Sequence, residues 1–288
     1  MNDEKLKLVY QDAKRFLEKL VGKEILEEKL EHIRTYKVNN MNDLYWHLLL
    51  SLTNKRNMMQ TIGDIDLLAP FLFNFDPILT YEHYRNDWKR LFQRIKDGHS
   101  PPGPMDMSNE QGYWAVFCKG ALSGAAFLAR FGTFEAIDAF VMGFQHHDLA
   151  IPALPMVLER EIYGMGFPLA CDFLKEAAGC YTNYGKPDVH VKDILCGLEL
   201  VACRDNYEVF KILLRMARAN NELPAIVDKV LYLIGSGNIG KPDIKIGRQK
   251  KVFIEEMKAK LAELNRHLAH ERCGDEEQGH EDTESEAR

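Results

Sequence analysis

Two short segments of this chain carry residue types that could hold a ligand, at a suggestive spacing. The first is Gly164-Met165-Gly166, set between two apolar periodic runs. Two glycines one residue apart let the backbone turn with positive φ. They also leave amide N–H groups unpaired at the start of the helix that follows, a geometry that can hold a phosphate. The second is Lys186-Pro187-Asp188-Val189-His190-Val191, some twenty residues further on. Asp188, after a proline and before an apolar run, suits a helix N-cap. A helix starting there would hold its carboxylate near the glycine bend.

The elements that must position these groups are helical. Leu6, Val9, Tyr10, Ala13, Leu17 and Leu20 recur at spacings of three and four, one face of a helix. Trp46, Leu49, Leu50 and Thr53 suit a second. Further helices are predicted over residues 81–96, 113–131, 133–144, 152–163, 167–178, 188–203, 206–219, 223–235 and 249–270. Strand patterns are scarce, so the expected class is all-α. The prolines of 99–104 and the glycines of 235–240 read as loops between helical groups. Gly120 and Gly124, inside an apolar run, are expected to allow close helix packing.

In order, spacing and residue type, this arrangement resembles the helix-hairpin-helix DNA glycosylase superfamily, with the motif at about 155–178. Gly164, Met165 and Gly166 match its Gly-hydrophobic-Gly hairpin, and Ala170 the small residue after it. Asp188, Val189, His190 and Val191 match its Asp-x-His-Val catalytic segment. More weakly, 48–57 looks like the helix that opens the DNA-binding lobe, and 227–236 like a closing helix, so about 40–236 is covered. The resemblance implies two helical lobes with a cleft between them and the hairpin at its lip. It implies duplex DNA with a damaged or mispaired base as partner, and Asp188 as the carboxylate that stabilises charge on the sugar as the N-glycosidic bond breaks. His190 would neighbour that site. Asn54, Arg56 and Asn57 would be polar groups entering the gap left by the extruded base.

The chain also departs from the family. Members that cleave the strand through a Schiff base carry lysine two residues after the second hairpin glycine, and here that position is Pro168. The four closely spaced cysteines of cluster-containing members are missing as well, so no cofactor is implied. The implied enzyme is monofunctional and uses water; the alternative is a non-catalytic protein that keeps DNA binding. Each residue also has a reading without chemistry. The hairpin can be an ordinary turn with Pro168 in a first helical turn, Asp188 a simple cap, and the 54–57 segment a solvated helix end.

Charge and composition bound the rest. The 288 residues are 46% apolar and 28% charged, enough apolar content to exclude disorder of the body. The segment 274–288 holds seven acids and one arginine; removing these from totals of 43 acids and 37 bases leaves 36 of each. A neutral helical body over 1–272 and a disordered acidic tail over 273–288 are expected. Lys241 and Lys245 begin the densest basic stretch, where phosphates would be met. The six cysteines show no CxxC spacing and read as small buried residues. His146-His147-Asp148 offers no third ligand, so no metal is expected. With no apolar signal core and no membrane-length run, a monomeric intracellular protein is the expectation.

Overall fold

Short polar side chains mark where the helices start. Asn40 accepts a hydrogen bond from the Asp43 amide, Asp76 from Leu79, Asp87 from Arg90, Thr133 from Ala136, Asp188 from Val191, and Asp205 from Tyr207 and Glu208. Each bond satisfies an amide that has no partner within its own helix.

A computed structural model describes residues 3–178, 183–240 and 246–281. It contains α1 (Asp3–Val21), α2 (Lys23–Thr35), α3 (Met41–Thr53), α4 (Met59–Ile62), α5 (Pro77–Tyr84), α6 (Trp88–Gly98), α7 (Tyr113–Ala129) and α8 (Phe134–Gly143). These are followed by α9 (Ala153–Glu161), α10 (Phe167–Ala178), α11 (Val189–Gly197), α12 (Asn206–Ala219), α13 (Pro224–Ser236) and α14 (Lys250–Glu281). No strand occurs among the described residues, and the chain is all-α. None of its described helices is long and apolar enough to cross a membrane.

Several helices differ from the periodicity reading. The run 81–96 is two helices, α5 and α6, because Arg85 takes a left-handed conformation (φ +52°) and Asp87 caps a fresh start. The run 188–203 stops at Gly197. Glu199 is left-handed (φ +58°) there, and the Leu200 amide reaches back to the Leu195 carbonyl at 2.9 Å, closing the helix end. Helix α2 was not expected, since charge dominates its sequence; Leu26 and Leu30, one turn apart, are its buried anchors. Leu20 is 40% exposed rather than on the buried face of α1. Helix α14 continues to Glu281, through the first part of the acidic segment, whose residues 282–288 lie outside the described residues.

The buried apolar side chains form two clusters. The first gathers α3 to α10, with Phe210 and Leu214 added from α12. The second joins the two ends of the chain: α1 and α2 pack with α11, α12, α13 and α14. Helix α7 is buried almost all round, as its apolar sequence demands. A Cβ at Gly120 would lie 2.8 Å from the Tyr163 carbonyl, and one at Gly124 would lie 2.7 Å from Leu48 Cδ2. The expectation that these glycines permit close packing holds, and one neighbour is the glycine hairpin itself. Cys118 and Cys171 are buried, but Cys196 is half-buried and Cys203 exposed, so burial does not account for the cysteines as a set.

Candidate active site

The glycine bend joins α9 to α10 and is pinned from beneath. Ile162 closes α9 by donating to the Leu158 carbonyl, and the Tyr163 amide donates to Ser123 Oγ at 2.8 Å. Gly164 then takes φ +80°, and Met165, 3% exposed, plugs into the core. The Gly166 carbonyl receives the amides of Leu169 and Ala170, which starts α10. No acceptor among the described residues takes the N–H of Gly164, Gly166 or Phe167. Only Gly164 is left-handed, contrary to the expectation for both glycines. A Cβ on Gly166 would meet nothing nearer than Pro168 Cδ at 3.9 Å, so its backbone stays open without needing an unusual conformation. Pro168 sits in the first turn of α10, where a missing N–H costs nothing.

Asp188 caps α11, with Oδ1 accepting the Val191 amide at 2.8 Å. Its side chain lines an open pocket of about 420 Å³, together with Asn54, Asp172, Lys175, Glu176, Lys186, Val189, His190, Lys229 and Tyr232. That volume falls in the range of small-molecule sites. Asn54 follows α3, and Asp172, Lys175 and Glu176 belong to α10, helices of the first cluster. Val189 and His190 belong to α11, and Lys229 and Tyr232 to α13, helices of the second. Among the described residues no ion pair holds Asp188. Burial, and then the negative charge of Asp228, push its carboxyl above the usual range, so that it binds a proton more readily than an ordinary aspartate.

Beside Asp188 lies a buried ionic network that the sequence reading did not anticipate. Asp228, 1% exposed, accepts Lys175 Nζ at 2.7 Å and the Lys186 amide at 2.9 Å. Asp172, 5% exposed, accepts Lys186 Nζ at 2.8 Å and Asn54 Nδ2 at 2.9 Å, with Lys175 Nζ at 3.4 Å. Burial opposes the charge on Asp172, but Lys175 and Lys186 outweigh it and hold the carboxyl below its usual range. Burial likewise opposes the charge on Lys175, and Asp228 and Asp172 overcome it. The only sequence signal for these groups is the interruption of apolar faces by Asp172 and Asp228, which pattern alone cannot pair across 56 positions.

The glycines of the bend do not themselves line the pocket. A chain of polar contacts connects the two: Lys55 Nζ donates to the Gly164 carbonyl at 3.0 Å, and its neighbour Asn54 holds Asp172, which holds Lys186, two residues before Asp188. Lys55 lies within the polar 54–57 segment that ends the apolar run of α3. Arg56 is exposed and left-handed (φ 50°), its carbonyl accepting from Tyr113 Oη at 3.4 Å. Asn57 belongs to the same short turn. His190 packs edge-on to Tyr232, with centroids 5.7 Å apart, and a Cβ at Gly235 would lie 2.5 Å from its own Cβ. Asp148 pairs with Arg218, and among the described residues no group of three or more His, Cys, Asp or Glu is placed to hold a metal ion. Lys241, Lys245 and Cys180 lie outside the described residues.

Comparison of the chain with models of known families, with curated proteins and with solved structures finds no match.

Proposed function

We propose that the protein binds duplex DNA and hydrolyses the N-glycosidic bond of an extruded, damaged base, as a monofunctional DNA glycosylase. The observation that carries this is Asp188: a half-buried carboxylate with no ion-pair partner among the described residues, at a helix start, on the edge of an open pocket tied by polar contacts to a glycine bend whose amides find no acceptor among those residues. On this reading the two apolar clusters are two lobes, the pocket is the cleft between them, and the bend stands at its lip. The free amides of Gly164, Gly166 and Phe167 receive a backbone phosphate. Base extrusion brings the target against Val189, 55% exposed, and the Tyr232 ring, which offer apolar surface for stacking.

The chemistry follows from the carboxylate. With Oδ1 occupied by the cap bond, Oδ2 of Asp188 faces the sugar, stabilises the positive charge developing at C1′, and takes a proton from the attacking water. A raised pKa makes Asp188 the stronger base for that transfer. The test is incubation with duplexes carrying oxidised, alkylated or deaminated bases, followed by hot alkali to convert abasic sites into breaks. Release from at least one lesion is expected. Salt-sensitive duplex binding with no release from any lesion would favour the second reading, a non-catalytic DNA-binding protein in which Asp188 serves only as the α11 cap. That reading draws on the cap bond and on Pro168.

A further inference from the structure

At the corner between α5 and α6, two exposed arginines converge on one atom. Arg90 Nη2 lies 3.1 Å from His83 Nε2, and Arg94 Nη1, one turn further along α6, lies 3.2 Å from the same nitrogen. The two guanidiniums are therefore close enough for one tetrahedral oxyanion to bridge them. Arg90 Nη1 also donates to the His83 carbonyl at 3.1 Å, and Arg94 Nη1 to Tyr84 Oη at 3.1 Å. Among the described residues no carboxylate lies within ion-pairing distance of either guanidinium. Asp87, three residues before Arg90, accepts the Arg90 amide as the α6 cap. Like charges four residues apart on a helix repel. The group between them is an imidazole that brings no negative charge: desolvation, and then the charges of Arg90 and Arg94, lower its pKa from the ordinary histidine value.

Aromatic rings hold both guanidiniums in place. Arg90 Cζ is 5.8 Å from the Tyr84 ring centroid, and Arg94 Cζ is 5.8 Å from that of Phe73, whose ring also meets His83 edge-on at 5.1 Å. Phe73 reaches them from a costly backbone. Phe73, Asn74 and Phe75 take left-handed φ values of +51°, +54° and +62°, and Asn42 Nδ2 donates to the Asn74 carbonyl at 3.0 Å. Non-glycine residues keep such conformations only where their surroundings enforce them, often at ligand sites.

We propose that Arg90, Arg94 and His83 form an oxyanion site that takes a phosphate group, the two guanidiniums donating to its oxygens in place of the imidazole. The phosphate supplies the negative charge that the imidazole lacks, and hydrogen bonds from guanidinium forks to phosphate are of the strong, charge-assisted kind. None of the three residues lines the Asp188 pocket, so the site stands whether or not a base is excised there. A free phosphate compound and the backbone of a duplex present the same oxygens.

The probe is inorganic phosphate, added to the full chain at constant ionic strength and followed by NMR through the arginine side-chain Nε–H signals. Saturable shifts of the Arg90 and Arg94 signals are expected, and none with chloride. Arg90→Gln and Arg94→Gln are each expected to raise the dissociation constant about tenfold or more, the ratio for losing a hydrogen bond to a charged group, at an unchanged thermal midpoint. Arg90→Lys and Arg94→Lys keep the charge without the fork and are expected to weaken binding as well. A second arm measures undamaged duplex by fluorescence anisotropy. Duplex affinity that falls in the glutamine variants along with phosphate binding identifies the duplex backbone as the source; duplex affinity that is absent or unchanged identifies a free phosphate compound. A phosphate response that does not saturate, or that the glutamine or lysine variants retain in full, overturns the site whatever the duplex arm shows. Base release enters neither readout, so its failure bears on Asp188 alone.

Discussion

Lys55 donates from Nζ to the Gly164 carbonyl at 3.0 Å, which ties the segment following α3 to the glycine bend although 109 positions separate them. Lys55→Met removes the donor while keeping the length of the stem. Duplex affinity is expected to drop by roughly 1.5–3 kcal/mol, the scale of a hydrogen bond to a charged group. Fluorescence anisotropy at fixed salt measures it, and unaltered affinity would separate the bend from DNA binding.

A substitution beneath the bend should act in the same direction by sterics alone. Gly120→Ala places a methyl 2.8 Å from the Tyr163 carbonyl and 2.9 Å from Leu52 Cδ1. Overpacking of this kind destabilises by about 1–3 kcal/mol, read from urea unfolding. Gly166→Ala, with open space around its Cβ, is expected to fold as the wild type does.

Asp188→Asn separates chemistry from capping. Asparagine caps helices as well as aspartate, so α11 is kept, while the base is lost. Base release is expected to fall about 10²–10⁴-fold. Stability moves the other way. Because the folded protein raises the Asp188 pKa, this group's contribution is complete only in acid, below the ordinary value of about 3.9, and is lost as pH rises through the raised value. Removing the charge should leave the variant at least as stable at neutral pH, with the difference vanishing below about pH 4. Paired thermal melts at the two pH values check this.

Asp172, in the ionic network beside Asp188, has the opposite linkage. Asp172 is depressed in the folded state, so its contribution is present above about pH 4 and lost as pH falls further; Lys175 is raised, so its contribution is lost only in strong alkali. Asp228→Ala removes the nearest partner of the Lys175 ammonium, leaving Asp172 at 3.4 Å, and strands the Lys186 amide. A destabilisation of about 1–3 kcal/mol is expected, the cost of leaving a buried donor unsatisfied. Chemical denaturation of both proteins across pH gives the comparison.

Lys241 and Lys245 belong to the densest basic stretch of an otherwise neutral body. If each meets a phosphate, replacing either by alanine lowers the slope of log affinity against log salt by about 1. The slope is the decisive readout. An affinity loss with an unchanged slope would assign these lysines to folding.

Local patterns in the sequence were enough to establish a helical chain and the bounds of several of its helices. Apolar spacing located α7, α8, α10, α12 and α13 to within a few residues, and Asp188, read as a cap, starts α11. These are short-range effects, determined by side-chain periodicity and by a polar atom reaching a nearby amide. Tertiary packing decided what lies beside what. Nothing in the order of residues says that α1 and α2 return to the core built by α11 to α14, that Lys55 meets Gly164, or that Asp172 and Asp228 share Lys175. Contacts across a hundred positions follow from how two apolar clusters close upon each other, and burial, the source of the altered protonation of Asp188, exists only once they have closed.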